Sequence, residues 1–251
     1  MTSLDSRRLF LTLGGVATAL VACRPEVPFE AEPAPRSTLP AAITPAISKD
    51  NAGGVGAVED LMREHGVIRR LLVVYRETAS RLRLKSAAVP PSALQRAAAL
   101  MQTFGEDYHE RALEEEHLFP AVRKAGGAAA TLIDTLLAQH QRGREITSYV
   151  LGVSKQTIGV RNAEPLAHAL EGFARMYEEH AAQEDTIVFQ AWKDAMSKQQ
   201  LDEMGELFED IEHKTFGKDG FDDARGKIAA IEQELGITLA SMLAPTPPVI
   251  L

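Results

Sequence analysis

His180 and Glu184 stand four residues apart in the stretch YEEHAAQEDTIVF (177–189), and His109 and Glu114 stand five apart in YHERALEEEHLFP (108–120). Each stretch carries a Tyr, then a His, then acids. Each also places a Glu five residues before a Phe, Glu114 before Phe119 and Glu184 before Phe189. An earlier segment with one more His precedes each of them, His65 with Arg69 four residues on and His140 with Arg144 four residues on. The separations are alike, 44 positions from His65 to His109 and 40 from His140 to His180. The chain reads as one helix pair written twice. Imidazole and carboxylate together suit iron, manganese or zinc, and a carboxylate has two oxygens with which to bridge two ions. On an α-helix, positions i and i+4 share a face, so His180 and Glu184 reach one point. Two such hairpins packed face to face bring four His and two Glu to one axis, which is a two-metal carboxylate site. A single His with an acid four residues on is weak evidence. The matched pairs are stronger, because unpaired polar groups at four core positions are costly.

The elements that must position these residues are helices. No stretch shows sustained period-two alternation with β-branched residues. The pattern predicts helices over 58–84, with Leu61, His65, Ile68, Leu72 and Tyr75 on one stripe, over 92–124 with Gly126 and Gly127 as the stop, and over 129–153. A fourth runs over 165–196, opened by Pro165 as a first-turn residue. Ser197 with Gln200 reads as a capping box for a fifth helix ending near Gly217, and a short last helix spans 221–235. The fold class is all-α, an antiparallel up-down four-helix bundle with one or two extra C-terminal helices. Facing helices of a bundle are a usual place for such a site. The expected organisation is a signal over 1–23, a Pro/Ala-rich linker over 24–56 and the bundle over 57–196. C-terminal helices follow over 197–238, and a loose tail over 239–251.

The 251 residues are 45% hydrophobic and 25% charged, ordinary for a globular chain, and the formal net charge of −8 argues against nucleic acid as a partner. The single Cys excludes an internal disulfide and a Cys-based zinc site. At the N-terminus, Ser6-Arg7-Arg8-Leu9-Phe10-Leu11-Thr12 resembles a twin-arginine export signature. The apolar run from Leu9 to Ala22 is short for a membrane span and fits a signal peptide. It ends in Leu20-Val21-Ala22-Cys23, similar to a bacterial lipobox, where the Cys is lipidated. Pro25, Pro28, Pro33, Pro35, Pro40 and Pro45 forbid a regular helix in the segment that follows, which reads as an extended tether.

The strings HERALEEEHLFPAV (109–122) and YEEHAAQEDTIVFQAW (177–192) resemble the hemerythrin-like, or HHE cation-binding, family. The resemblance covers about Val58 to Trp192. It implies an antiparallel four-helix bundle holding two non-haem iron ions, with zinc or manganese as alternatives. The implied ligands are His65, His109 and Glu114, His140, and His180 and Glu184, with the two Glu bridging the irons.

Two departures stand out. The family usually spaces the second-helix His and Glu by four, but here Leu113 holds that place and Glu114 is five away. On an ideal helix that puts Glu114 about 140° off the His109 direction. A one-residue π-bulge between them corrects this; otherwise Glu110 supplies the oxygen. Asp185 is the corresponding rival to Glu184. In the second departure, Arg144 stands where oxygen carriers have another His. This turns the expectation from reversible oxygen carriage towards iron handling, sensing, or redox chemistry.

Other readings carry less. Glu106 with His109 and Glu114 with His117 have the Glu-x-x-His spacing of ferritin-like di-iron proteins, but Glu64 and Glu171 do not complete that pattern. His117 reads as a half-exposed or supporting residue, and His168 and His213 as solvent-side. Tyr108, Tyr177, Phe119, Phe189 and Trp192 read as core first, with the last three a wall around the metals second. Arg69 and Arg144 are expected to pair with acids outside the site.

The leading expectation is an exported, lipid-anchored di-iron protein that binds or senses O2, NO or peroxide or handles iron, served by a redox partner the sequence does not identify. The membrane is reached through lipidated Cys23. The alternatives are a peroxidase or oxidase at the same centre, and a structural or interaction bundle with a zinc or mononuclear site. Replacing Arg7 and Arg8 with Lys should block translocation of the folded protein, and Cys23→Ala should yield an unlipidated form. Normal lipidated protein outside the cytoplasm after the double Lys change, read by fractionation and mass spectrometry, contradicts the twin-arginine reading.

Overall fold

The computed structural model of the protein describes residues 55–84, 89–156 and 158–248. The signal segment, Cys23 and nearly all of the Pro-rich tether lie outside these residues. Six principal helices account for the described chain, which contains no strand. Helix α1 is Ala57–Leu84. Helix α2 runs over 91–125 as one rod in three parts, Pro91–Leu100, a π-helical Met101–Leu118, and Phe119–Ala125. Helix α3 is Ile133–Val153. Helix α4 runs over 160–194, as Val160–Gln183, a π-helical Glu184–Val188, and Phe189–Asp194. Helices α5 (Lys198–Phe216) and α6 (Gly220–Leu235) follow. None of the described helices is long and apolar enough to cross a membrane.

Local chemistry sets most of these boundaries. Pro91 opens α2, where its missing N–H costs nothing. Gly126 (φ 78°) ends that rod, and a single turn, Gly127–Ala130, precedes α3, which therefore starts at Ile133 and not at 129. Both halves of the Ser197/Gln200 capping box are formed, satisfying two N–H groups that open α5. Asp219 caps α6 by accepting from the Asp222 N–H at 2.7 Å. Contrary to the expectation from the sequence, Pro165 does not open α4. The helix begins at Val160 and encloses the proline, which forfeits only the bond to the carbonyl of Arg161 at the end of the rod.

The first four helices form the bundle, with α1 packed most extensively along α4 and α3 along both α4 and α2. The expected stripe of α1 is buried throughout, Leu61, His65, Ile68, Leu72 and Tyr75. Trp192, Tyr108, Tyr177, Phe104, Phe119, Phe173, Phe189 and Phe208 complete the core. Helix α6 lies against α2 and α1, and α5 against α1 and the π-helical part of α2. A ring stack of Trp192 on Phe208 (5.9 Å, 13°) joins α4 to α5.

Where α1 begins beside α5, acids crowd together. Burial, then the charges of Glu64, Glu212 and Glu209, push the Asp60 carboxyl from its ordinary 3.8 up to about 7 against the pull of Arg63. The folded chain therefore holds a proton there that the unfolded chain releases, so stability falls as pH rises from about 4 to about 7. Asp60→Asn removes this contribution. Thermal melts across that window should show a shallower fall for the variant than for the parent; parallel slopes count against it.

Candidate metal centre

His65, His109, His140 and His180 come from α1, α2, α3 and α4, and their Nε2 atoms converge inside the bundle around the carboxylates of Glu114 and Glu184. His180 Nε2 lies 3.0 Å and His65 Nε2 3.4 Å from Glu184 Oε2. His109 Nε2 lies 3.3 Å from Glu114 Oε1, and His140 Nε2 lies 3.4 Å from Glu114 Oε2. The ring nitrogens of His140 and His180 approach to 3.1 Å. One ligand atom from each of Glu114, His140, His180 and Glu184 lies within 4.8 Å of the others, and the same holds for His65, His109 and Glu114. Both glutamates are 0% exposed.

A π-helical segment in α2 makes this convergence, and a shorter one follows Glu184 in α4. The N–H of Phe119 bonds to the carbonyl of Glu114, and that of Phe189 to the carbonyl of Glu184, both five residues back. The Glu-to-Phe spacing of five is thus the span of a widened turn. In α2 the same register brings Glu114 over His109, which an α-helix could not do. Glu110 points elsewhere, and Asp185 does not share the centre with Glu184. Each Phe then caps an imidazole of the other hairpin: Phe119 stacks on His140 (5.5 Å, 16°) and Phe189 on His65 (5.3 Å, 23°).

The outer nitrogens are as organised as the inner ones. His65 Nδ1 meets Asp185 Oδ1 at 2.7 Å, and His109 Nδ1 meets Glu64 Oε2 at 2.6 Å. His140 Nδ1 meets Glu115 Oε1 at 2.8 Å, and His180 Nδ1 meets Gln139 Oε1 at 3.0 Å. Arg69 in turn holds Asp185, and Arg144 holds Glu115. The two arginines therefore do pair with acids, and those acids are the ones that grip the imidazoles. The written repeat becomes a pseudo-twofold axis, with Glu64-His65-Arg69 answering Gln139-His140-Arg144. Sequence reasoning missed Glu64, Gln139, Glu115 and Asp185 in this role. Their signal was adjacency, since each is the immediate neighbour of a converging His or Glu.

The protonation this imposes is specific. An Nδ1 facing an acceptor oxygen must carry the proton, so a neutral ring presents a bare lone pair at Nε2. With all four rings neutral, four lone pairs and two carboxylates point into one buried space. His109 Nε2 and both oxygens of Glu114 and of Glu184 have no hydrogen-bond partner. Burial raises the Glu184 carboxyl, but His180 and His65 outweigh it and hold it well below the usual range. For His109, burial is likewise outweighed, here by Glu114 and Glu64, and its ring is pushed well up. Buried acceptors without donors are what cations satisfy, and a mixed imidazole–carboxylate set suits iron, manganese or zinc. A third convergence, Glu110, Glu115 and His140, already has its cation in Arg144.

The pseudo-symmetry fails on one side. The Tyr177 hydroxyl donates to Glu110 Oε1 at 2.6 Å, and Arg144 donates to Glu110 Oε2 at 3.2 Å. Burial pushes both Glu110 and Tyr177 well up. Beside them is a void of about 10 Å³ lined by His65, Ile68, His109, Glu110, Tyr177, His180 and Ala181. It is of the size of one water. His117 is half-buried against Phe208, and His168 and His213 are exposed.

Residues 56–192 match the hemerythrin HHE cation binding domain. The chain is similar to uncharacterized proteins of Mycobacterium bovis and Mycobacterium tuberculosis, each 41% identical over 194 residues, covering 76% of this chain and 75% of the relative. No solved structure matches it.

Gly143 lets Tyr177 reach Glu110, because a Cβ there would fall inside the contact distance of the phenol ring and hydroxyl. Gly143→Ala should therefore destabilise the fold by about 1–3 kcal/mol, measured by chemical denaturation. In Tyr177→Phe the same alanine should cost less, since no hydroxyl then collides with it. An equal cost in both backgrounds refutes the close approach.

Proposed function

Because the chain belongs to the hemerythrin HHE cation-binding family, we propose that its bundle holds two non-haem iron ions and uses them on O2, NO, peroxide or iron itself. His65 and His109 would hold one ion, and His140 and His180 the other, with Glu114 and Glu184 shared between them. The observation that carries this reading is the set of buried, partnerless acceptor atoms at the centre of the bundle. When bound, iron supplies a Lewis acid and a redox couple to a small ligand.

The residues around the ions do the rest. The carboxylates and Gln139 fix each imidazole in the tautomer that offers Nε2 inward. Phe119 and Phe189 keep water from two of the rings. The small void beside the ions fits a ligand of diatomic or water size. Its lining by Glu110 and Tyr177 favours a ligand that accepts or exchanges hydrogen bonds, and so supports the peroxidase or oxidase alternative beside simple binding. Arg144 is engaged by Glu110 and Glu115, which fits a centre short of one imidazole and inclined to the oxidised state. Export as a lipoprotein through Arg7, Arg8 and Cys23 completes the proposal and places this chemistry at the cell envelope.

Elemental analysis of protein purified without oxygen should find two irons per chain. His180→Ala should lose most of one and weaken the other through the shared Glu184, while His213→Ala, on the outer face, should change nothing. Equal metal content in the two variants overturns the ligand assignment. Two zinc ions in a colourless protein would replace the iron reading with the structural one.

A further inference from the structure

The pseudo-twofold axis relates every imidazole contact but one to a group of like charge. Asp185 on His65 corresponds to Glu115 on His140, each backed by an arginine. The remaining pair differs. His109 Nδ1 donates to a carboxylate, Glu64, at 2.6 Å, whereas His180 Nδ1 donates to an amide, Gln139, at 3.0 Å. Glu64 is 1% exposed, its Oε2 accepts from the His109 ring, and its second oxygen has no hydrogen-bond partner, with the Tyr108 hydroxyl beside it. A carboxylate on the far nitrogen makes an imidazole a stronger donor than an amide does.

We propose that Glu64 makes the two metal positions unequal, so that a first divalent cation loads between His65 and His109 and a second, more weakly, between His140 and His180. The inference rests on the reading of a two-ion centre. It also distinguishes a direct bond from nearby charge. Glu110 lies by the weaker position, with Oε2 at 4.0 Å from His140 Nδ1, but its oxygens are engaged by Tyr177 and Arg144 and not by a ring nitrogen. Glu64 is thus a positioning residue, acting on the ion through His109.

The test uses zinc as probe and the ring signals of the protein labelled with nitrogen-15 in histidine. Added to the metal-free full chain, the first equivalent of zinc should shift the His65 and His109 rings, and only the second those of His140 and His180. Competition with a chelator should separate the two affinities by about tenfold or more. Glu64→Gln should bring the two steps together, and Gln139→Glu should do the same from the other side by strengthening the second. The second variant guards against a simple packing defect in the first. Both should keep the helical circular dichroism of the parent. Glu110→Gln should leave the order intact. Two equivalents bound with no order in the parent, or an order untouched by Glu64→Gln, overturns this inference alone. An equal loss of order in Glu110→Gln overturns it in favour of nearby charge. Binding of a single ion overturns the two-ion reading as well.

Discussion

Two carboxylates, Glu114 and Glu184, lie in the middle of the bundle with no donor to receive them, and the rest of the molecule is arranged around that fact. A buried ionised group without a partner costs several kcal/mol even after relaxation. Neighbouring lysines or arginines could have solved this, but Arg69 and Arg144 are placed one step out, against Asp185 and Glu115. Neutral imidazoles cannot solve it as donors, because their protons are drawn outward to Asp185, Glu64, Glu115 and Gln139; only rings that take up a second proton, as the raised His65 and His109 do, relieve it without metal. Each outward bond leaves an inward lone pair on a neutral ring, a place that a proton or a metal cation fills. That arrangement is coherent only as a cation cradle, and it accounts for the agreement between the geometry and the family to which the chain belongs.

The backbone bears part of the cost. Keeping an α-helical register through α2 would turn Glu114 away from His109. The π-helical segment Met101–Leu118 turns it back, and the short one at Glu184–Val188 sets the register of Phe189 in α4. These widened turns weaken regular helix bonding, and the surrounding aromatic core restrains them. Phe119 and Phe189 stand at the last bonds of the two turns and stack on His140 and His65. The same residues therefore close the turn and wall the site, which ties fold stability to site geometry.

The sequence announced the repeat, and the repeat carried the four histidines and both glutamates to one axis. The mismatch of a five-residue spacing with a helical period pointed to a one-residue bulge between His109 and Glu114 or to Glu110 in its place, and the structure instead winds all of Met101–Leu118 as π-helix. The corresponding turn in α4 was hidden, because His180 and Glu184 are already one α-helical turn apart. The outward carboxylates were hidden for a different reason. A residue next to a ligand points about 100° away on its own helix, so Glu64 or Glu115 reaches an imidazole only on a neighbouring helix, and no single-helix periodicity reports such a pair. Pro165 misled because its preference for a helix start is a statistical one, and the chain instead starts at Val160 and gives up one bond. The Tyr177–Glu110 contact depends on Gly143, a residue on a third helix, and has no local signature.

The central claim is that the buried acceptors exist for cations, and the most direct measurement is the melting temperature of the metal-free and metal-loaded chain beside the double variant Glu114→Gln/Glu184→Gln. The parent should be markedly less stable without metal and gain on loading, since ions that bind only the folded state stabilise it. The double variant, relieved of two buried charges, should be at least as stable as the metal-free parent and indifferent to added metal. A metal-free parent that melts as high as the loaded one would show that the carboxylates are satisfied by the protein alone, and would contradict the account.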